Sequence, residues 1–184
     1  MLNMIFIMIP FGAVIAYSSI FAQEKGLSAL TPFFYIFLVA GMLISKFSTQ
    51  KMIDAGRHAI LVVFSLVGLF FTMASYLFLE TGIHLFIAGF LLGIGYGILQ
   101  PLFRSFVTGT TPAPKRGAAN TTYLLSYDIG IGSLLMGMFQ ESIGLSAGFT
   151  ITCVTYVIGG LIYALYVDKY YSRLVLNLKK ENLM

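Results

Sequence analysis

The sequence predicts an all-α protein that crosses a membrane six times. Of its 184 residues, 58% are hydrophobic and 10% are charged, whereas a soluble domain carries about 25% charged residues. The apolar residues form six stretches near the length of about 20 residues that spans a bilayer core. Membrane strands are excluded because no alternation of apolar and polar residues over about ten positions recurs in the chain.

The first three helices are each closed by a polar turn. The first is predicted over residues 4–22, because the sequence QEKG follows it. The second covers residues 31–47 and begins at Thr31-Pro32. The third covers residues 59–79 and ends at the sequence ETG.

The last three helices follow the same pattern. The fourth is predicted over residues 84–109 and is long enough to be tilted or broken, the fifth covers 118–139, and the sixth covers 148–167. Residues 168–184 form a polar cytoplasmic tail, which also fits a short amphipathic helix on the inner leaflet. The chain is therefore predicted to be a single six-helix transmembrane bundle over residues 1–184.

Basic residues collect on one side of the predicted membrane. Nine of them lie beside even-numbered turns or in the tail: Lys46, Lys51, Arg57, Lys115, Arg116, Lys169, Arg173, Lys179 and Lys180. Lys25 is the one base beside an odd-numbered turn, and Glu24, Glu80 and Glu141 accompany those turns. This distribution follows the positive-inside rule, so we predict that both termini are cytoplasmic, in an inner (cytoplasmic) cell membrane.

The composition also excludes several classes of protein. Cys153 is the single cysteine, so no internal disulfide can form. The net charge of +4 is spread along the chain, so no nucleic-acid partner is predicted. His58 and His84 lie too shallow for an intramembrane protease, and no paired metal-ligand motif occurs. We therefore predict no enzyme activity, no metal and no other cofactor.

The turn after the second helix resembles a motif of the major facilitator superfamily of secondary transporters. Residues 46–58 read KFSTQKMIDAGRH, which is similar to a degenerate copy of that family's loop motif, G-x-L-x-D-x-x-G-R-[KR]. Asp54, Gly56 and Arg57 match its core, and Gln50 stands where a glycine is usual. The resemblance implies that Asp54 and Arg57 stabilise the outward-facing state. The alternative is a solvated turn with the basic residues that are usual on the cytoplasmic side.

Two further stretches resemble drug-proton antiporters of the same family. Residues 93–101, GIGYGILQP, look like the glycine-rich tenth helix. KRGAAN at 115–120 and YDIGIG at 127–132 look like the turn and the eleventh helix. The resemblance covers nearly the whole chain and implies helices seven to twelve of a twelve-helix transporter, built as two inverted three-helix repeats.

The resemblance also implies a function. The chain would be the carboxy-terminal half of a proton-coupled efflux transporter for small, apolar or amphipathic molecules. Because alternating access needs two bundles, we expect an amino-terminal six-helix half or a second copy as partner, besides the lipid bilayer, the small-molecule substrate and protons. The alternative is a truncated or structural membrane subunit without transport activity of its own.

Asp128 lies about ten residues from each end of the fifth helix. An ionised group at mid-bilayer costs about 2.5–3.5 kcal/mol, so this face is predicted to avoid lipid. One interpretation is that Asp128 is the proton-coupling residue, and the other is that it makes a structural hydrogen bond. Asn120 and Thr121 share its face two turns earlier and are predicted to line the substrate cavity.

Polar residues also share one face of the fourth helix. Gly93, Tyr96, Gln100 and Arg104 follow one another at steps of three or four. We predict that Tyr96, Gln100 and Arg104 line the substrate cavity. Core packing is the alternative for Tyr96, and for Arg104 the alternatives are snorkelling to the headgroups or an ion pair with Asp128.

Glycines predict close helix packing. Gly89 and Gly93 are one turn apart on the fourth helix, and such small-residue faces let a neighbouring helix approach closely in membranes. Gly130 and Gly132 are predicted to do the same on the fifth helix.

Overall fold

A computed structural model describes residues 2–55, 57–131 and 144–167 of the chain. These residues are helical apart from short turns, which confirms the all-α fold class. The α-helices in these ranges are α1 (Leu2–Glu24), α2 (Thr31–Asp54), α3 (His58–Leu77), α4 (Gly82–Gly109), α5 (Arg116–Ile131) and α6 (Leu145–Ile162), and a π-helical turn, Tyr163–Val167, follows α6.

Five of these helices, α1 to α4 and α6, are long and apolar enough to cross a membrane. The helix α5 is described over 16 residues and carries Asn120, three threonine or serine hydroxyls and Asp128 among them. The rest of the predicted fifth helix, with Gly132, and the tail 168–184 lie outside the described residues.

Helix α2 is longer than the sequence predicts. It continues to Asp54, seven residues beyond residue 47. The Thr49 hydroxyl donates to the carbonyl of Ser45 over 2.6 Å, so the helix backbone satisfies this polar side chain. Hydropathy marks where an apolar run ends and not where a helix ends. Residues 48–54 of the predicted turn therefore lie on α2 instead.

Helices α1 and α4 occupy the centre of the bundle. Helix α4 packs along α2 and α3, and α1 packs along α5 and α6. The rings of Phe11 and Tyr96 lie 4.3 Å apart between centroids where α1 meets α4. The Tyr96 hydroxyl donates to the carbonyl of Ile7 over 2.6 Å, so this buried polar group has a partner on the neighbouring helix.

Glycines set the distance between α4 and its neighbour α2. A methyl group at Gly89 would lie 2.6 Å from the carbonyl oxygen of Phe34. A methyl group at Gly93 would overlap the carbonyl oxygen of Leu38, and one at Gly130 would overlap α1. The structure thus places these three glycines at close helix contacts, where a larger residue has no room.

Candidate functional site

A groove opens on the surface of the bundle between α2, α4 and α5. Its volume is about 450 Å³, within the range of about 300–1,000 Å³ that is usual for small-molecule sites. Its lining residues in the described chain are Val39, Met42, Leu43 and Lys46 of α2, Gly97, Gln100, Pro101 and Arg104 of α4, and Tyr123 and Leu124 of α5. Gln100 and Arg104, two of the residues predicted to line the cavity, thus line this groove.

Two hydrogen bonds fix the register between α4 and α5 beside the groove. Arg104 donates from its Nε to the Oδ1 of Asn120 over 3.1 Å. The Tyr123 hydroxyl donates to the carbonyl of Gln100 over 2.9 Å. Asn120, a predicted cavity residue, therefore holds the guanidinium of Arg104 where the two helices meet.

Asp128 lies further along α5, level with Tyr96 of α4 in the same antiparallel register. It is eight residues beyond Asn120, so its Cα lies about 12 Å along the helix axis from the level of Arg104. That separation is too long for a direct ion pair with an arginine side chain. The structure pairs Arg104 with Asn120 in place of Asp128.

The side chain of Asp128 is exposed on the bundle surface. Its neighbours Leu124, Leu125 and Ile129 are 45%, 58% and 52% exposed, so no described helix covers this side of α5. Leu124 lines the groove and lies one helical turn before Asp128, on the same face. The acid is therefore accessible from the side of the bundle on which the groove opens.

Two residues predicted to line the cavity lie elsewhere. Tyr96 is 2% exposed and lies in the core, where its hydroxyl is bonded to Ile7. Thr121 is exposed, but its hydroxyl donates to the carbonyl of Gly117 in its own helix over 3.1 Å. Neither residue lines the groove.

The predicted loop motif lies at the connection between α2 and α3. Asp54 is the last residue of α2, and Arg57 directly precedes α3 with an exposed side chain. The backbone N–H of Arg57 donates to the carbonyl of Met52 over 3.0 Å. Gly56 lies outside the described residues. This connection lies eight residues beyond Lys46 along the helix, about 12 Å from the groove.

Lys46 and Tyr123 are groove residues that the sequence analysis did not identify. The apolar run ends beside Lys46, so hydropathy does not indicate that this residue lines a groove. Lys46 nevertheless follows Met42 by one helical turn and so lies on the same helix face. Tyr123 follows Asn120 by three residues, the spacing of neighbours on one helix face. These spacings are the signals that could have found both residues.

The bundle surface outside the groove is predominantly apolar. The large exposed side chains of α3 and α6 are hydrophobic: Val63, Phe64, Val67, Phe70, Phe71, Val154, Val157, Ile158 and Leu161. Such a surface is compatible with lipid, since acyl chains offer no hydrogen-bond partners. The side with the groove exposes Lys46, Gln100, Arg104 and Asp128 together with large apolar side chains, among them Val39, Leu43 and Leu124. This side of the bundle therefore combines charged groups with apolar surface.

Comparison with known proteins identifies one family. The model of the Major Facilitator Superfamily matches residues 1–132, which is most of the chain and includes every residue of the groove. Neither a curated protein nor a solved structure matches the chain significantly. Within the described ranges, no group of three or more His, Cys, Asp or Glu residues is placed to hold a metal ion.

Proposed function

Because the chain belongs to the Major Facilitator Superfamily, whose members are membrane transporters, we propose that it is the second half of a proton-coupled efflux transporter. The groove between α2, α4 and α5 holds a small apolar or amphipathic substrate, and Asp128 carries the proton. A second six-helix bundle, either an amino-terminal half or another copy of this chain, supplies the opposite wall of the passage.

One observation supports this proposal: Asp128 is exposed on α5, twelve residues from the start of the helix and one turn from the groove. If this face met lipid, an ionised Asp128 would cost about 2.5–3.5 kcal/mol. The hydrophobic surface of α3 and α6 has no such cost. The face of the groove is therefore the one that requires water or a protein partner, as the wall of a solute passage does.

The same cost supports proton coupling. A difference of about 2.5–3.5 kcal/mol corresponds to a population ratio of roughly 100-fold. Protonation of the Asp128 carboxyl therefore favours the state in which the passage closes around it by about that factor, compared with the ionised carboxylate. Proton uptake on one side and release on the other would then bias the bundle between its two orientations.

The packing of the helices supports two inverted three-helix repeats. Helix α1 packs along α5 and α6 as α4 packs along α2 and α3. If α1, α2 and α3 are matched to α4, α5 and α6 in that order, the α1–α5 contact corresponds to α4–α2 and the α1–α6 contact to α4–α3. Glycines lie in both corresponding interfaces, Gly93 against α2 and Gly130 against α1. Repeats of this kind place the substrate site of a transporter near their interface.

Transport in vesicles tests the proposal. Vesicles that contain a pH-sensitive dye are prepared with this chain alone, and with the chain joined to the amino-terminal six-helix bundle of a family member. We expect amphiphile-induced proton movement from the joined assembly and none from the chain as a monomer. Robust proton-driven flux from a chain shown to be monomeric would refute the half-transporter proposal. Stable insertion without flux in every pairing would favour the structural subunit instead.

A further inference from the structure

We propose that the groove binds the negatively charged head of an amphiphile, a carboxylate or a phosphate, and lays the apolar tail along its walls. The inference rests on the proposed function and deepens it, because it assigns the chemical class of the substrate. It also distinguishes this chain from a carrier of organic cations.

The charges of the groove are the first line of support. Lys46 of α2 and Arg104 of α4 both line it, and its lining residues in the described chain include no acid. The exposed acid of α5, Asp128, lies two helical turns from the level of Arg104. Two cations within one groove repel each other, and an anion between them removes that repulsion. A cationic head would add a third positive charge to the same space.

The hydrogen-bonding capacity of Arg104 is the second line of support. A guanidinium carries five N–H donors in a planar fork that matches carboxylate and phosphate oxygens. The bond to Asn120 uses the Nε donor, so it orients the side chain while the terminal nitrogens keep four donors. Asn120 thus acts as a positioning residue for Arg104, and bidentate binding of an anion by the terminal nitrogens is the strongest use of this arrangement.

The walls of the groove determine the rest of the ligand. Apolar side chains form much of the rest of the groove wall: Val39, Met42, Leu43 and Leu124. A volume of about 450 Å³ admits a tail of drug-like size in addition to a charged head. The ligand class is therefore an anion with a substantial apolar part, rather than a small inorganic ion.

The depth of Lys46 separates this site from ordinary interfacial bases. Lys46 lies eight residues before the end of α2, about 12 Å along the axis. Arg104 lies five residues before the end of α4, about 8 Å along the axis. The two cations thus extend inwards from the cytoplasmic side. Either a soluble amphiphilic anion or an anionic phospholipid of the cytoplasmic leaflet presents the required head.

Ligand binding to the full chain tests the inference without requiring transport. The chain is placed in phosphatidylcholine nanodiscs and titrated with dansyl-labelled undecanoate, with dodecyltrimethylammonium as the cationic competitor and dodecanoate as the anionic one. We expect dodecanoate to displace the probe at a concentration at least tenfold lower than the cation. Lys46→Gln and Arg104→Gln should each weaken probe binding roughly tenfold or more, the effect of losing one charged hydrogen bond.

The matched control is Lys51→Gln, which removes an exposed positive charge from the same helix outside the groove. It should leave the affinity within about twofold, since Lys51 does not line the groove and so makes no hydrogen bond to the bound head. Helix content and insertion of all three variants are checked by circular dichroism, so that an unfolded variant is not mistaken for a binding defect. Asn120→Ala should weaken binding less than Arg104→Gln, because it removes the group that orients the guanidinium and leaves the positive charge in place.

Added phosphatidylglycerol distinguishes the two sources of the anion. If the phospholipid occupies the groove, it lowers probe affinity in the wild type and has no effect in Arg104→Gln. If only a soluble amphiphile binds, added phosphatidylglycerol leaves the probe affinity of both proteins unchanged. Either result supports an anionic site. Equal displacement by the cation and the anion, or unchanged binding in both groove variants, would overturn it.

The outcome is separable from that of the transport experiment. A joined assembly that moves protons with cationic amphiphiles, while the chain fails to bind dodecanoate, would reject the anionic site and leave the carrier intact. Dodecanoate binding that depends on Arg104, without flux in any pairing, would reject the carrier and leave the anionic site intact.

Discussion

The close contact between α2 and α4 makes Gly93→Ala the most informative packing substitution. The added methyl group would overlap the carbonyl oxygen of Leu38 and lie 2.9 Å from the backbone nitrogen of Met42. Both of these atoms belong to the backbone, so no side-chain rotation can make room. The two helices must move apart, and the contacts on either side of Gly93 are weakened.

The expected cost follows from two opposing effects. Overpacking of a well-filled interface costs about 1–3 kcal/mol, and replacing a helical glycine by alanine returns about 0.5–1 kcal/mol. The net destabilisation is therefore about 0–2.5 kcal/mol, with a midpoint near 1 kcal/mol. Gly68 of α3 is the matched control, because a methyl group there would meet nothing within 4 Å. Gly68→Ala should be neutral or stabilising by up to about 1 kcal/mol.

The chain suits a thiol-based unfolding assay. It contains no tryptophan and one cysteine, and Cys153 is half-buried in α6. A dye that fluoresces on reaction with a thiol therefore reports unfolding in detergent at a single position. For a chain of this size a loss of about 1 kcal/mol corresponds to a fall in Tm of about 2–4 °C. Gly93→Ala should lower Tm by about that amount, and Gly68→Ala should not lower it.

The comparison between the two variants decides the outcome. If Gly93→Ala is as stable as Gly68→Ala, the backbones of α2 and α4 do not approach each other as described. If both substitutions lower Tm equally, the loss does not come from this contact.

The remaining predictions concern three polar groups. Tyr96→Phe removes the hydrogen bond to α1 and should lower the free energy of unfolding by about 1 kcal/mol in the thiol assay. Probe binding should be retained, because Tyr96 lies outside the groove. Weaker probe binding at unchanged Tm would contradict this placement. Asp128→Asn in the joined assembly should abolish the pH dependence of efflux and leave insertion intact, which vesicle flux at two pH values measures. An unchanged pH profile would mean that Asp128 has a structural role. Tyr123→Phe should lower Tm by a few degrees through loss of the bond to the Gln100 carbonyl, whereas an unchanged Tm would mean that this bond contributes nothing to the α4–α5 contact.

The fold class is predictable from the sequence because the bilayer imposes it. A chain with six apolar stretches must satisfy its backbone within each stretch, and helices are the direct solution. The end of α2 is not predictable in the same way, because water and lipid both tolerate a helix. Residues 48–54 therefore continue α2, although the apolar run ends at residue 47.

Periodicity identifies a shared face but not the neighbour that crosses it at each level. Tyr96 and Gln100 are one turn apart on α4, and both were predicted to line the cavity. Helix α1 crosses at the level of Tyr96 and buries it, whereas Gln100 lies where α4 borders the groove. The partner of Arg104 could not be predicted from periodicity, since it depends on the register between α4 and α5.

The face of α2, α4 and α5 should border a water-filled passage, whereas α3 and α6 should face lipid. Cysteine labelling at Leu124 and Val67, in a Cys153→Ala background, distinguishes these two environments. The two side chains are 45% and 49% exposed from the bundle and lie at similar depth, about 12 Å and 14 Å from the starts of their helices. In native membranes, a membrane-impermeant thiosulfonate should react with Leu124→Cys and leave Val67→Cys unmodified. Equal reaction at both positions, or protection of Leu124→Cys alone, would contradict the account.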